Sequence, residues 1–402
     1  MNRREFGGMA LAGMGASLLA GRAKAADWSL VLDKARGQQV YFHAWGGDPK
    51  INDFIAHVGS LAAHRFGVSL THVKLAATSD AVARVQAEKA AGKSTGGAVD
   101  LIWINGENFA AMKGAGLLYG PFAESLPNWP LVDTVGKPAT VTDFTLPTGG
   151  YESPWAMAQL VFEHDSAKLA EPPRTIAALA DWAKANQGRF TYPQPPDYLG
   201  LTFLKQVLYA LLPDPAVLQL PADAAYDAAA ARLWAFLDAL HPDLWRQARA
   251  FPANEPALGQ LLADGETVIS FAFNPGRASA EIAAGALADT VRTFVLEGGT
   301  IGNASFVAIP FDASAPEGAQ VVANLLLEPE VQAHAQDAAV LGFQTVLNMG
   351  ALSQADRARF DALPLGPATL SPAALGPTLL EPHASWMTRI AADWVKRYGV
   401  AP

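Results

Sequence analysis

From Gln39 onward the chain alternates short apolar runs with longer stretches of helical period. Gln39-Val40-Tyr41-Phe42-His43-Ala44-Trp45 reads as a buried strand, because aromatic and β-branched residues suit a pleated surface. It runs into Gly46-Gly47, where the backbone is free and can be approached closely. Asp48 is placed to cap a helix whose first position is Pro49. Phe54, Ile55, Val58, Leu61 and Ala62 recur near helical spacing and predict a helix over residues 52–66. Residues 68–74 alternate as a second strand, and Thr78-Ser79-Asp80 predicts the cap of a helix over 81–91. Residues 98–104 form a third strand, followed by Asn105-Gly106-Glu107-Asn108 and a helix that Gly114 and Gly116 end. Three strand–helix units in a row predict a mainly parallel sheet with right-handed crossovers.

Residues 117–147 are rich in Pro, Gly and aromatics and read as a surface-hugging connection. Residues 149–165 read as one strand passing from a first lobe to a second. Apolar helices follow over 200–212 and 222–240, and Asn254-Glu255-Pro256-Ala257 starts another. Residues 268–276 form a strand and turn. Residues 291–296, Gly298-Gly299 and 304–310 form the return crossing. Helices are expected over 317–327 and from Pro329, and a last one over 385–398 places Trp386, Ile390 and Trp394 on one face. The first lobe is expected over 27–150, with part of 304–402 returning to it. The second is expected over 151–300, with crossovers near 150–156 and 298–306.

Composition narrows the classes. The chain has 402 residues, half of them hydrophobic, and a formal net charge of -9. Only 29 residues are Lys or Arg, with no basic stripe, which argues against a nucleic-acid partner. Cysteine is absent, which removes disulfides, thiol catalysis and Cys-ligated metals and suits an oxidising compartment. Arg3-Arg4, the short apolar stretch from Gly8 to Gly21, and Ala23-Lys24-Ala25 read as an export signal cleaved near Ala25. The paired arginines with Phe6 are of twin-arginine type, although a Sec signal also tolerates them. A monomer in the periplasm is expected.

The turns after the three strands carry the candidate chemistry. In a parallel sheet they share one edge, and their free N–H groups suit an anionic or polar group. Singly, Ser79, Asp80 and Asn108 are more economically read as helix caps. Trp45, Tyr151, Trp155, Tyr192 and Tyr198 could stack on a ring or box a cation, with Asp48, Glu107 and Glu152 supplying charge. Each aromatic has core packing as its competing reading. His57, His64 and His72 are scattered and form no metal motif. Glu107 with Glu152 could serve an exported hydrolase as an acid/base pair, but no G-x-S-x-G elbow is present.

The order of elements resembles the extracellular solute-binding proteins of ABC importers. The tail is the most telling match: Asn324-Leu325-Leu326-Leu327-Glu328-Pro329-Glu330-Val331-Gln332, then Gly342-Phe343-Gln344-Thr345-Val346. It departs from the family pattern at Glu328, where Ser is usual, and at Thr345, where Pro is usual. The strand, Trp45-Gly46-Gly47 turn and helix start resemble the YnjB-like, thiamine-binding-protein-related branch. The resemblance implies a two-lobe α/β fold of the type II periplasmic-binding-protein kind, each lobe a mainly parallel sheet flanked by helices. It implies hinge closure on a small solute, delivery to a membrane permease, no cofactor and no catalysis. A ligand sensor docking on a membrane receptor would share the fold. The cleft residues it implies are Trp45, Gly46, Ser79, Asn105 and Glu107 from the first lobe, and Glu152, Trp155, Tyr192, Asn254 and Asn274 from the crossing and second lobe. A cationic, thiamine-like or quaternary-amine solute is the expectation.

Overall fold

A computed structural model describes residues 28–376 and 378–399; the expected export signal and its cleavage site lie outside them. Strands β1 (Gln39–Trp45), β2 (Ser69–Leu75) and β3 (Leu101–Ile104) alternate with helices α1 (Pro49–Phe66), α2 (Thr78–Ala90) and α3 (Glu107–Gly114). β1 lies between β2 and β3 and is parallel to both, Gln39 opposite Ser69 and Phe42 opposite Leu101. Asp48 caps α1, its carboxylate accepting the Lys50 N–H at 2.7 Å. The cap expected from Thr78-Ser79-Asp80 does not form. α2 starts at Thr78 with Ala77 as its N-cap and no side-chain bond there. The Thr78 hydroxyl donates instead to the Trp103 carbonyl at 3.3 Å, and Ser79 is left exposed in the first turn.

The predicted crossing strand is two strands, β4 (Glu152–Gln159) and β5 (Val161–Asp165), broken at Leu160. The second lobe adds helices α4 (Ile176–Ala185), α5 (Tyr198–Leu211), α6 (Tyr226–Leu240), α7 (Glu255–Ala263) and α8 (Arg277–Ala283), with strands β6 (Ile269–Ala272) and β7 (Val291–Phe294). The chain returns through β8 (Thr300–Ala308), α9 (Pro316–Leu326), α10 (Pro329–Gln336) and α11 (Gln354–Asp361). β8 is antiparallel to both β3 and β4, so the first sheet is mixed only where the crossing strands join it. In the second sheet, by contrast, β5 is antiparallel to both β6 and β7. The expectation of parallel strands thus holds for the first sheet and not the second. β5 leaves the crossing, whereas β6 and β7 both run back toward it, β7 directly into β8.

Two cores result. Phe42, Phe54, Ile102, Phe306 and Val322 belong to the first, and Phe162, Phe203, Leu233 and Phe271 to the second. The last helix, α12 (Ala384–Tyr398), packs into the second core through Trp386, Met387, Ile390 and Trp394, the face its spacing predicts. Each such side chain contributes roughly 1.5–3 kcal/mol by leaving water.

A third link joins the lobes where Asn274 and Gly276, after β6, meet Leu341 and Gly342. Met157 and Gln344 exchange N–H···O bonds at 2.8 and 3.3 Å. The two departures from the family tail make bonds of their own within the first lobe. The Thr345 N–H donates to Gln336 at 3.1 Å and its hydroxyl to Gln332 at 2.7 Å, neither of which Pro could do. Glu328 holds Arg65 through two bonds of 2.6 and 3.0 Å. Gly276, after β6, lies so close to Gly342 that a Cβ on it would sit 2.7 Å from the Gly342 Cα.

Candidate functional site

The C-terminal ends of β1, β2 and β3 share one edge of the first sheet, as parallel pairing requires. Trp45 ends β1 with 38 % of its surface exposed. Its indole lies over Gly47, where a Cβ would meet the ring at 2.4 Å, so only glycine lets the ring fold back over the turn. Gly46 is fixed between the strands, its N–H donating to Leu75 and its carbonyl accepting from Asn52. Asn105 is half-buried beside Gly106, the N-cap of α3.

The polar seam between the lobes begins at Gly106. Its N–H donates to Asp143 Oδ2 at 2.6 Å. Asp143 belongs to a small hairpin in which Thr142–Asp143 pairs with Leu146–Pro147. The next residue, Phe144, takes a left-handed φ of 43° and buries its ring in the second core. That ring lies 5.2 Å from the Lys205 ammonium of α5, and Tyr198 flanks the same ammonium at 5.0 Å. Lys205 pairs with Glu381 at 2.5 Å, and Tyr198 donates to Glu381 at 2.6 Å. Asn303 of β8 donates to both Tyr198 and Glu381, at 2.6 and 3.2 Å. The hairpin therefore carries first-lobe chain into contact with the second lobe, and acids line the junction.

Their titration reflects burial first and the neighbouring acids second. Burial raises the Asp143 carboxyl well above the usual range, against the Gly106 N–H, with Glu381 and Glu107 adding to the rise. Burial also raises Glu152 well above it, and Asp143 adds to the effect while Lys113 opposes it. Glu107 is exposed on the rim, yet loss of water around its carboxyl raises it; its own N–H and Lys205 pull it down, and Glu381 pushes it up. On the second lobe, Asp197 caps α5 through the Gly200 N–H and is raised by burial. Glu255 is pushed up to about 7, first by desolvation, with Arg277 at 3.6 Å opposing. Asp143 Oδ1 is buried without a hydrogen-bond partner, and so are both carboxylate oxygens of Glu152, which sits deeper in the first lobe opposite Ala308.

Other sequence candidates lie elsewhere. Trp155 is 2 % exposed and belongs to the first core. The register slips where Pro154 faces Phe306 and Ala156 faces Ser305, leaving Trp155 as the extra residue. Its ring stacks on Phe54 at 5.8 Å and meets the Trp103 and Phe343 edges at 5.0 and 5.9 Å. Tyr192 is completely buried in the second core, bonded to His241 at 2.7 Å and Trp394 at 2.9 Å. It is a core residue rather than a cleft aromatic. Asn254 caps α7, its side chain accepting the Ala257 N–H at 3.0 Å. Asn274 spends its amide on the Leu341 carbonyl at 2.6 Å and its oxygen on the Gly276 N–H, which ties the second lobe to the third link. Tyr151 lies against the Lys113 ammonium at 5.7 Å, which already occupies its face.

The seam residues Asp143, Lys205, Asn303 and Glu381 were not picked out from sequence. Lys205 did carry a signal, as the one charged residue in a strongly apolar helix. Glu381 carried none, because its partner is 176 positions away. Among the described residues no group of three or more His, Cys, Asp or Glu could hold a metal ion, and no helix is long and apolar enough to cross a membrane.

Comparison with known proteins agrees with this architecture. The family model for bacterial extracellular solute-binding proteins matches residues 61–359. Protein YnjB of Escherichia coli (strain K12) is 43% identical over 384 residues, covering 95% of this chain and 97% of its own. An ABC transporter structure from Clostridium perfringens superposes with a TM-score of 0.62 at 16% identity, covering 89% of this chain and 98% of that one. The spermidine/putrescine substrate-binding protein PotD of Streptococcus pneumoniae superposes with a TM-score of 0.59 at 13% identity, covering 90% and 98%. With two lobes, crossing strands and the matched tail in place, the chain belongs to the bacterial extracellular solute-binding protein family.

Proposed function

We propose that this protein is the periplasmic receptor of an ABC importer, that it captures a small organic cation between its two lobes, and that it hands the solute to a membrane permease without altering it. One observation carries the charge of the solute. Glu107, Asp143 and Glu381 gather at the seam, against Lys205, and burial raises Glu107 and Asp143. A cation arriving among them favours their ionised forms. Solute contact with both lobes favours the closed state. PotD, which shares the fold, is described as a spermidine/putrescine substrate-binding protein, and this supports the cationic reading by analogy. Trp45, Asn105 and Glu107 are the first-lobe residues placed to meet the solute.

The test is a thermal-shift screen of the mature protein against polyamines, quaternary amines, thiamine, sugars, phosphoesters and amino acids. A native-state ligand at 100-fold above its Kd adds about 2.7 kcal/mol of stability. A shift with cations alone, and recovery of the ligand unchanged, is the expected result. A shift with sugars or phosphoesters alone sinks the cationic reading. Chemical conversion of the ligand would replace the receptor by a hydrolase.

A further inference from the structure

We infer that the hairpin over residues 142–147 is a latch. It holds the two lobes in the arrangement of this structure before any solute is bound, and it has to withdraw when they hinge apart. The inference rests on the two-lobe fold and not on the charge of the solute. The hairpin is anchored in the first lobe. Leu146 packs against the first core, Asp143 accepts the Gly106 N–H, and the Lys113 ammonium of α3 donates to the Pro147 and Thr148 carbonyls. Its tip crosses to the second lobe. The Phe144 ring is buried in the second core, 5.2 Å from the Lys205 ammonium of α5. The same ring lies against Gly106, where a Cβ would come within 3.2 Å of it. The chain then returns to the first lobe through Leu146 and enters the crossing strand β4 only at Glu152. Crossing strands can bend and stay joined, but a ring that dips into one lobe from the other has to leave when the lobes separate.

The turn holds that ring against its own geometry. Thr142 pairs with Pro147 and Asp143 with Leu146, which leaves Phe144 and Thr145 as a two-residue loop. Both take left-handed φ, 43° and 73°. Two-residue loops of this kind favour Asn-Gly, because bulky and β-branched side chains are strained there. Such strain persists where the surroundings compensate it, and it gathers at clamps and switches. Here the compensation comes from the other lobe, whose core takes the ring out of water. Parting the lobes exposes the ring, so its burial favours the joined arrangement.

The chain has no cysteine, so Ala111→Cys on α3 and Gln260→Cys on α7, both exposed, place one spin label on each lobe. Pulsed electron resonance then measures the label spacing without solute, in the otherwise native mature protein and with Phe144→Asn and Thr145→Gly added. That pair of changes removes the ring and gives the turn the residues it favours, so the hairpin itself is kept. The native protein is expected to show chiefly the spacing of this structure. The variant is expected to raise the population at longer spacings roughly 10-fold or more, the factor that burial of a phenyl ring supplies. Its far-ultraviolet circular dichroism should stay unchanged. Phe144→Leu, which keeps an apolar side chain at the tip, is expected to fall between the two. The same distribution in the native and ring-less proteins overturns the inference, and so does a native protein already at the longer spacing. Either result leaves the solute-binding role standing.

Discussion

The Lys205 ammonium and the Glu381 carboxylate meet at 2.5 Å with 1 % and 2 % of their side chains exposed. The pair ties α5 to the segment before α12, and Tyr198 and Asn303 complete the carboxylate's hydrogen bonds from α5 and β8. Breaking a buried pair by removing one partner costs about 3–5 kcal/mol, because the remaining charge is stranded. Lys205→Met should therefore lower stability by about that much. Lys205→Met combined with Glu381→Leu should recover most of the loss. Urea unfolding of both variants checks this, and equal stability of the single and double variants would show that the pair is not acting as a pair.

Trp155 and Trp45 should respond in opposite ways. Trp155 stacks within the first core, and truncating a buried Trp to Ala costs about 3–5 kcal/mol. Trp45 stands at the exposed end of β1, where truncation should change stability by under about 1 kcal/mol. Its effect should fall on solute affinity instead. Thermal unfolding and titration of Trp45→Ala and Trp155→Ala separate the two, and an unfolding midpoint unchanged by Trp155→Ala would refute the core assignment.

Thr345 gives a test of a departure from the family pattern. Its N–H and hydroxyl bond Gln336 and Gln332, and the same Gln332 oxygen accepts the Val346 N–H. Thr345→Pro removes both donors. Stranding buried partners costs roughly 1–3 kcal/mol, so restoring the usual residue should destabilise this chain by about that amount. Chemical denaturation of the variant measures it; a stabilised variant would contradict the bonding.

What could be read from the sequence was local. The period of Phe54, Ile55 and Val58 located α1, and the spacing of Trp386, Ile390 and Trp394 located the buried face of α12. Asp48 and Asn254 carried cap signatures, and for Asn254 the cap is what the side chain does. The cleft was harder, because its acids are assembled across long separations. Asp143 bonds Gly106 from 37 positions away, and Lys205 meets Glu381 from 176. Tyr192 shows the same limit. Its neighbours Thr191 and Pro193 suggest a loop, yet the ring is enclosed by Phe203, Phe251 and Trp394. No local pattern encodes those partners.

His241 should make the second lobe acid-sensitive. Burial lowers its imidazole from 6.5 to about 4, with Asp238 opposing. Tyr192 accepts from Trp394, which leaves its own hydrogen for the His241 ring nitrogen and favours the neutral imidazole. The unfolded chain binds this proton first, so stability is complete above pH 6.5 and falls as pH drops toward about 4. The span amounts to about 3 kcal/mol. Intrinsic fluorescence during urea unfolding at a series of pH values measures the slope, and His241→Gln should flatten it.

The Asp143–Glu152 pair should act with the opposite sign. Both carboxyls are raised by burial, so the folded protein keeps protons that the unfolded chain gives up. Their contribution is complete below the unfolded carboxylate range and is lost as pH rises toward the folded values. At pH 8 without solute, Glu152→Gln should therefore be more stable than wild type, by roughly 1–3 kcal/mol if the buried acceptors are the cause. At pH 3 the two proteins should converge. A Glu152→Gln protein that is less stable than wild type at pH 8 would mean that Glu152 is a structural acid with a partner of its own.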